Sequence, residues 1–137
     1  MWFIYALLAA LFAALTSILA KIGIENVNSN LATAIRTVVV LIIACGIVLF
    51  TGTYKGVVNI GQKSWIFLIL SGCATGLSWL FFYKALQIGE ASKVIPIDKF
   101  SIVISIALAF IILGEAVNAK TIIGGALITI GTIVLVL

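Results

Sequence analysis

Residues 91–115, ASKVIPIDKFSIVISIALAFIILGE, decide the fold of this chain. Between residues 100 and 113 the only polar side chains are those of Ser101 and Ser105. Together with the short apolar run before it, this segment is long enough for a tilted membrane helix, which needs about 20 residues. The sequence therefore predicts a transmembrane span here.

Two charged side chains lie inside this predicted span, although an ionisable group in the bilayer costs about 2.5–3.5 kcal/mol on insertion scales. Asp98, Ser101 and Ser105 share one helical face because they are spaced by three and four residues. This face is expected to point into protein or water. Asp98 and Lys99 either belong to a substrate or ion pathway, or form a structural ion pair near the interface with Lys99 reaching the headgroups.

The composition indicates an integral membrane protein. Hydrophobic residues make up 64% of the chain and charged residues 9%, with a mean hydropathy of +1.39, whereas about a quarter of the residues in soluble domains are charged. The 137 residues leave room for one bundle, so we expect a single transmembrane domain over residues 1–137. The eight Lys and Arg residues are scattered near helix ends, which favours membrane interfaces and excludes a nucleic-acid partner.

The side chains that enzymes and metal sites need are scarce here. The chain has no His, two Cys far apart and four carboxylates, so no zinc or iron ligand set and no hydrolytic triad is predicted. We therefore expect no cofactor, no metal and no enzymatic activity.

Apolar runs separated by polar or glycine-containing turns predict the fold class, an all-α integral membrane protein with five transmembrane helices. At 1.5 Å per residue, a helix of about 19 residues spans about 28 Å, close to the hydrocarbon thickness. The predicted spans are residues 2–20, 31–51, 64–87, 93–113 and 119–137, and residues 51–63 are predicted to form a loop.

Polar and aromatic residues on one membrane side mark a candidate substrate pathway. Arg36 lies about one and a half turns inside the second span, at a depth similar to that of Asp98, so we expect these two charges to pair. For the rings at the end of the third span, a lipid-facing aromatic belt is the alternative. The candidate pathway residues are Arg36, Trp79, Tyr83, Lys84, Asp98, Lys99, Ser101 and Ser105.

Cations outnumber carboxylates in this set, which favours an anionic or zwitterionic metabolite over a lipophilic cation. The fifth span carries no acid, and its small residues instead predict close helix packing. Gly124 and Gly131 are seven residues apart and share a face with Ile128. We expect this face to form a dimer contact.

The order of these motifs resembles a known family. The chain has an A-L-x-x-G-x-A run, a proline entering the fourth span, an L-G-E that ends it and a glycine-rich fifth span, at Ala85, Leu86, Gly89, Ala91, Pro96, Leu113, Gly114, Glu115, Gly124 and Gly131. This pattern is similar to the second half of an EamA domain of the drug/metabolite transporter superfamily. The first half of the chain resembles the first three helices of that domain, including a lysine that closes the first, Lys21.

The resemblance implies transport of small metabolites or drugs across the cytoplasmic membrane, often as export. Most members of the superfamily carry two such domains in ten helices, whereas this chain has one. The related small multidrug resistance exporters have an essential carboxylate in their first helix, and residues 2–20 contain none. If transport is proton-coupled, Asp98 is the only carboxylate placed well inside a predicted helix and so the only good candidate for the coupling site.

A single five-helix domain predicts a particular assembly. Because five is an odd number of spans, two fused copies of the domain would be inverted relative to each other. Two separate chains form the same inverted-repeat assembly only if they insert into the membrane in opposite directions. The expected partners are thus a small-molecule substrate, the lipid bilayer and a second, antiparallel copy of the chain. A non-transporting membrane subunit or scaffold and a lipid-carrier flippase are the alternative functions.

Overall fold

The computed structural model describes all residues 1–137, and it is helical without any strand. Its elements are α1 (Trp2–Gly23), α2 (Ser29–Phe50), a 3₁₀ helix (Thr53–Asn59), α3 (Gln62–Ile88), α4 (Ala91–Lys99), α5 (Ser101–Leu108), a π-helix (Ala109–Leu113) and α6 (Ala119–Val136). Five stretches are long and apolar enough to cross a membrane, and the stretch formed by α4, α5 and the π-helix together is the fourth. The predicted fold class is confirmed.

The predicted ends of the five spans differ from the structure by three residues or fewer. Between the second and third spans, however, the predicted loop is wrong in part. Residues Thr53–Asn59 form a 3₁₀ helix, preceded by Gly52 in the left-handed conformation with φ 68°. Glycine adopts that conformation without steric cost, so it turns the chain sharply out of α2.

The fourth span is not one continuous α-helix. Pro96 lies inside α4, where it has no amide hydrogen to donate to the preceding turn. Phe100 then interrupts the helix, and its amide donates to the Ile97 carbonyl at 3.0 Å instead of following the α-helical pattern. At the far end, Gly114 is left-handed with φ 67° and ends the π-helix. The span therefore consists of short helical pieces with a helix end at Lys99.

Contacts divide the chain into two compact units. One is Leu19–Gln87, called here the central unit, and the other combines Met1–Ile18 with Ile88–Leu137 and is called the terminal unit. In the terminal unit α6 packs against α4 and α5, with Gly125 buried. The Thr132 hydroxyl donates to the Pro96 carbonyl at 3.5 Å, so a side chain of α6 contacts the proline-containing turn.

The central unit is packed at one end of its helices. Buried or half-buried side chains recur at intervals of four and three residues on α2 and α3, which places them on one face of each helix. They are Ser29, Thr33 and Arg36 on α2, and Trp79, Tyr83 and Leu86 on α3. Farther along the two helices, residues 37–51 and 61–75 are exposed. Only the end of the central unit that holds these six side chains has a protein core.

Two side chains tie this packed end together. The Lys21 Nζ donates to the Leu86 carbonyl at 2.6 Å, and the Gln87 Nε2 donates to the Val27 carbonyl at 2.7 Å. Leu86 lies in the last turn of α3, where carbonyl groups lack helical partners. The end of α3 is thereby joined to the end of α1 and to the turn that follows α1.

Candidate functional site

Arg36 lies over two aromatic rings of the central unit. Its Cζ is 4.1 Å from the centroid of the Trp79 ring and 5.6 Å from that of Tyr83, both within the range of a cation–π contact. The guanidinium forms no ion pair within this unit. Its positive charge is therefore held by aromatic faces instead of by a carboxylate.

This cluster lies well inside the membrane-spanning stretches. Arg36 is seven residues after the first residue of α2, about 10 Å along the helix, and Trp79 is nine residues before the end of α3, about 14 Å. Tyr83 is 3% exposed, so its ring faces protein and does not belong to a lipid-facing belt. Phe81, two residues before it, is 74% exposed and does face outward.

Open space borders the cluster on α3. One turn before Trp79, Thr75 and Gly76 continue the same helical face. A Cβ added to Gly76 would meet no atom within 4 Å. The Thr75 hydroxyl donates to the Ser71 carbonyl at 2.9 Å and leaves its oxygen available as an acceptor. The rings therefore adjoin room for another chemical group.

The terminal unit pairs its charges locally. The Lys99 Nζ is 3.3 Å from the Asp98 Oδ2, and the two side chains are 48% and 33% exposed. Lys99 is the last residue of α4, where a cation also interacts favourably with the helix dipole. The interruption at Phe100 thus places an ion pair at a helix end.

A cavity of about 410 Å³ lies in the same unit, and two predicted pathway residues, Ser101 and Ser105, line it. Glu115 and Thr121 line it as well, beside apolar side chains that include Ile102 and Phe110. Sequence reasoning treated Glu115 only as a helix end. Helical spacing identifies residues on one face of one helix, but it does not show which residues a following turn brings back against that face.

The other predicted residues do not join these clusters. Lys84 is exposed and lies five residues from Trp79, about 140° around α3. Gly124 and Ile128 are half-buried and Gly131 is exposed, so a dimer contact through this face stays a prediction.

The pairing of Arg36 with Asp98 also stays a prediction, because the two residues belong to different units. A double-mutant cycle with Arg36→Ala and Asp98→Ala decides it, since additive losses of stability reject the pair.

The chemistry available to both clusters is binding by charge, ring faces and hydroxyl groups. No group of three or more His, Cys, Asp or Glu side chains lies close enough together to hold a metal ion. Cys45 and Cys73 are free and exposed on different helices. These features define a multi-pass membrane protein with polar and charged side chains inside its spans.

Comparisons with known proteins agree with this class. The model of the EamA-like transporter family matches residues 1–137. A protein of Sinorhizobium sp named "Uncharacterized transporter in cobO 3'region" is 45% identical over 134 residues, which cover 98% of this chain and 95% of that protein. An uncharacterized protein of Methanocaldococcus jannaschii is 34% identical over 132 residues, covering 96% and 93%. No solved structure matches significantly.

The chain belongs to the EamA-like transporter family. The resemblance drawn from the motif order is confirmed. Membership places the chain among EamA-like membrane transporters. The two relatives have nearly the length of this chain, so each of them also has the length of one five-helix domain.

Proposed function

We propose that the chain exports small metabolites or drugs across the cytoplasmic membrane as an antiparallel homodimer that works by alternating access. The observation that carries this proposal is the match to a transporter family over a chain with only five spans. Inverted repeats are a common basis of alternating access, and an odd number of spans makes the second repeat inverted. A second copy inserted in the opposite direction supplies that repeat.

The distribution of Lys and Arg supports insertion in both directions. Alternation of the spans places three cations on one side, and the other five lie on the opposite side or enter from it. Orientation follows such charges near helix ends, and a difference of three against five is a weak bias. The three are Lys55, Lys63 and Lys120, and the five are Lys21, Arg36, Lys84, Lys93 and Lys99.

Each unit is proposed to supply substrate-binding groups of its own. Arg36, Trp79 and Tyr83 supply a cation and rings, Asp98 and Lys99 supply a charge pair, and Ser101 and Ser105 supply hydroxyls. Lys84 is proposed to edge the pathway from the outer side of α3. The dimer contact is proposed on the α6 face that carries Gly124, Ile128 and Gly131.

Reporter fusions test the antiparallel assembly. A C-terminal alkaline phosphatase reports a periplasmic end and a C-terminal green fluorescent protein reports a cytoplasmic end. We expect both fusions to be active in cells that express one chain. Activity of only one fusion would show a uniform orientation and would exclude the antiparallel homodimer.

A ligand screen followed by flux measurements tests transport itself. A compound that binds the folded state raises its apparent stability, so thermal shifts against a metabolite library identify candidates. We expect at least one candidate to cross proteoliposome membranes faster with the protein than without it. Binding without flux would favour the scaffold function, and lipid scrambling without metabolite flux would favour the flippase.

A further inference from the structure

We propose that Arg36, Trp79 and Tyr83 form an oxyanion-binding site within the central unit, which takes the carboxylate or phosphate group of a ligand in the open space beside Gly76. The role of that ligand as cargo rests on the transport function proposed above. The binding site itself rests only on the geometry of residues 19–87.

The Arg36 guanidinium carries a positive charge and lacks hydrogen-bond acceptors within the central unit. Arginine has five N–H donors and stays protonated, and Arg36 is half-buried inside a membrane-spanning helix. Within the central unit the rings of Trp79 and Tyr83 cover its flat face, and no carboxylate lies within 4 Å of it. Stacking on a ring leaves the N–H donors at the edge of the guanidinium without acceptors. The guanidinium nitrogens therefore stay accessible. An unpaired charge inside a membrane span is costly, so a ligand that supplies oxygen acceptors stabilises the site.

The rings that lie against Arg36 limit its movement. Tyr83 is 3% exposed and lies between Trp79 and the fully buried Leu86 on one face of α3. The Tyr83 ring is confined by this burial, and together with the half-buried Trp79 ring it orients the plane of the guanidinium. An oriented guanidinium binds both oxygens of a carboxylate or phosphate through two parallel hydrogen bonds, which a flexible lysine does not reproduce.

The open space beside Gly76 leaves room for a ligand. The α3 face continues from Trp79 to Thr75 and Gly76, and the missing side chain of Gly76 leaves open space. Thr75 and Trp79 lie on the same face of α3 as Gly76, and residues 37–50 of α2 are exposed. A small oxyanion attached to an organic body fits these surroundings better than a fully hydrated ion.

The central unit carries more positive than negative side chains. Glu25 is its only carboxylate, and it lines a separate cavity of about 310 Å³ together with Lys21 and Gln87. The unit also carries four lysines besides Arg36. Opposite charge attracts an anion, and Glu25, the only carboxylate of this unit, forms no ion pair with Arg36.

The site's own fluorophore makes a direct binding test possible. Trp2 and Trp65 are exposed, so Trp2→Phe with Trp65→Phe leaves Trp79 as the single tryptophan at little cost to packing. This protein in phosphatidylcholine nanodiscs is titrated with acetate, with inorganic phosphate and, as the cationic control, with tetraphenylphosphonium. We expect a saturable change of Trp79 emission with an oxyanion and none with the cation. A response to the cation alone, or to no probe under any condition, would overturn the proposal.

Variants assign the response to Arg36. Arg36→Gln is expected to weaken oxyanion binding at least tenfold, and Arg36→Lys by a smaller factor because the charge stays and the two-point geometry is lost. Lys63→Gln removes the same charge from the other end of α3, where the side chain is exposed, and is expected to leave the affinity within twofold. Equal effects of Arg36→Gln and Lys63→Gln would show a diffuse charge effect and would reject the site.

A steric variant tests the position of the ligand. Gly76→Leu fills the open space and is expected to weaken binding at least fivefold, whereas Gly46→Leu on another face of the helices leaves it unchanged. Both glycines have open space around them, so both variants are expected to fold, and thermal unfolding checks this. Full binding by a folded Gly76→Leu protein would contradict the proposed position.

The source of the oxyanion is decided by lipid composition. If exchange of phosphatidylcholine for phosphatidylglycerol changes Trp79 emission in the wild type but not in Arg36→Gln, and free oxyanions have no effect, the site holds a lipid headgroup. If free oxyanions bind in phosphatidylcholine, the site takes a soluble ligand. Oxyanion binding without flux in proteoliposomes would leave the site standing and overturn the transport function, and flux without Arg36-dependent binding would do the reverse.

Discussion

The two charged sites of this protein are built in opposite ways. In the central unit Arg36 rests on the rings of Trp79 and Tyr83 and has no carboxylate partner there, and buried residues support those rings. In the terminal unit Asp98 and Lys99 neutralise each other at a helix end, and neither α4 nor α5 contains a buried residue. A charge that is neutralised by its neighbour needs no ligand. A charge that is held by ring faces retains its donors for one.

The largest effect is expected from the support of the central site. Leu86→Ala removes a side chain that is 0% exposed and should lower the free energy of unfolding by about 3 kcal/mol. Leu108→Ala on α5 removes a side chain that is 47% exposed and should cost under about 1 kcal/mol. Unfolding in a denaturing detergent measures both. Similar losses would show that the two sites are supported equally.

The next effect concerns activity. Arg36→Gln removes charge-assisted hydrogen bonds worth about 1.5–3 kcal/mol, so uptake of an anionic substrate into proteoliposomes should fall at least roughly tenfold. Lys99→Gln should lower uptake by a smaller factor, because Asp98 already balances the charge of Lys99. Circular dichroism confirms that each variant is folded. Full uptake by Arg36→Gln would remove this cation from the transport pathway.

A smaller effect distinguishes the two members of the ion pair. Lys99→Gln leaves Asp98 as an unpaired carboxylate on a short side chain and should cost about 1 kcal/mol of stability. Asp98→Asn should cost less than about 0.5 kcal/mol, because the long Lys99 side chain is able to reach the headgroups. Thermal unfolding of both variants measures the difference. The opposite order would show that Lys99 is the more confined of the two charges.

The Asp98→Asn protein also reports on coupling. If a proton drives transport, the pH dependence of uptake should disappear in this variant and persist in Lys99→Gln, since no other carboxylate lies well inside a span. Uptake of both variants across a range of external pH measures this. Unchanged pH dependence in Asp98→Asn would exclude this residue as the coupling site.

The last comparison concerns two glycines, whose substitutions are expected to change stability in opposite directions. Gly76→Ala should raise stability by up to about 1 kcal/mol, because alanine favours a helix and meets no atom within 4 Å. Gly114→Ala should lower it by about 1 kcal/mol, because Gly114 has φ 67° and an L side chain is strained there. Stabilisation by both substitutions would mean that the turn after the π-helix readjusts freely.

Hydropathy determined the part of the fold that the sequence predicts well. An apolar run of about 20 residues has few alternatives to a membrane helix, so the five spans followed directly from the sequence. The break at Phe100 was less visible, because Pro96 was placed near the helix start. The structure begins α4 at Ala91, which leaves Pro96 five residues inside it.

The candidate sites were predicted as sets of residues and not as contacts. Arg36, Trp79 and Tyr83 were all identified, but the contact between Arg36 and these rings depends on how α2 and α3 are rotated about their axes. Helical periodicity gives the faces of each helix separately and leaves that rotation open. The cavity at Ser101 and Ser105 likewise needs the turn at Glu115, whose course no periodicity encodes.

The hydrogen bond from Lys21 to the Leu86 carbonyl joins residues 65 positions apart, which has a consequence for biosynthesis. At the usual synthesis rate of about 5–20 residues per second, the ribosome adds this segment in roughly 3–13 s. During that interval α2 and nearly all of α3 are added, while the Lys21 side chain has no Leu86 carbonyl to bond. The end of α1 is therefore tied to α3 only when the third span is almost complete.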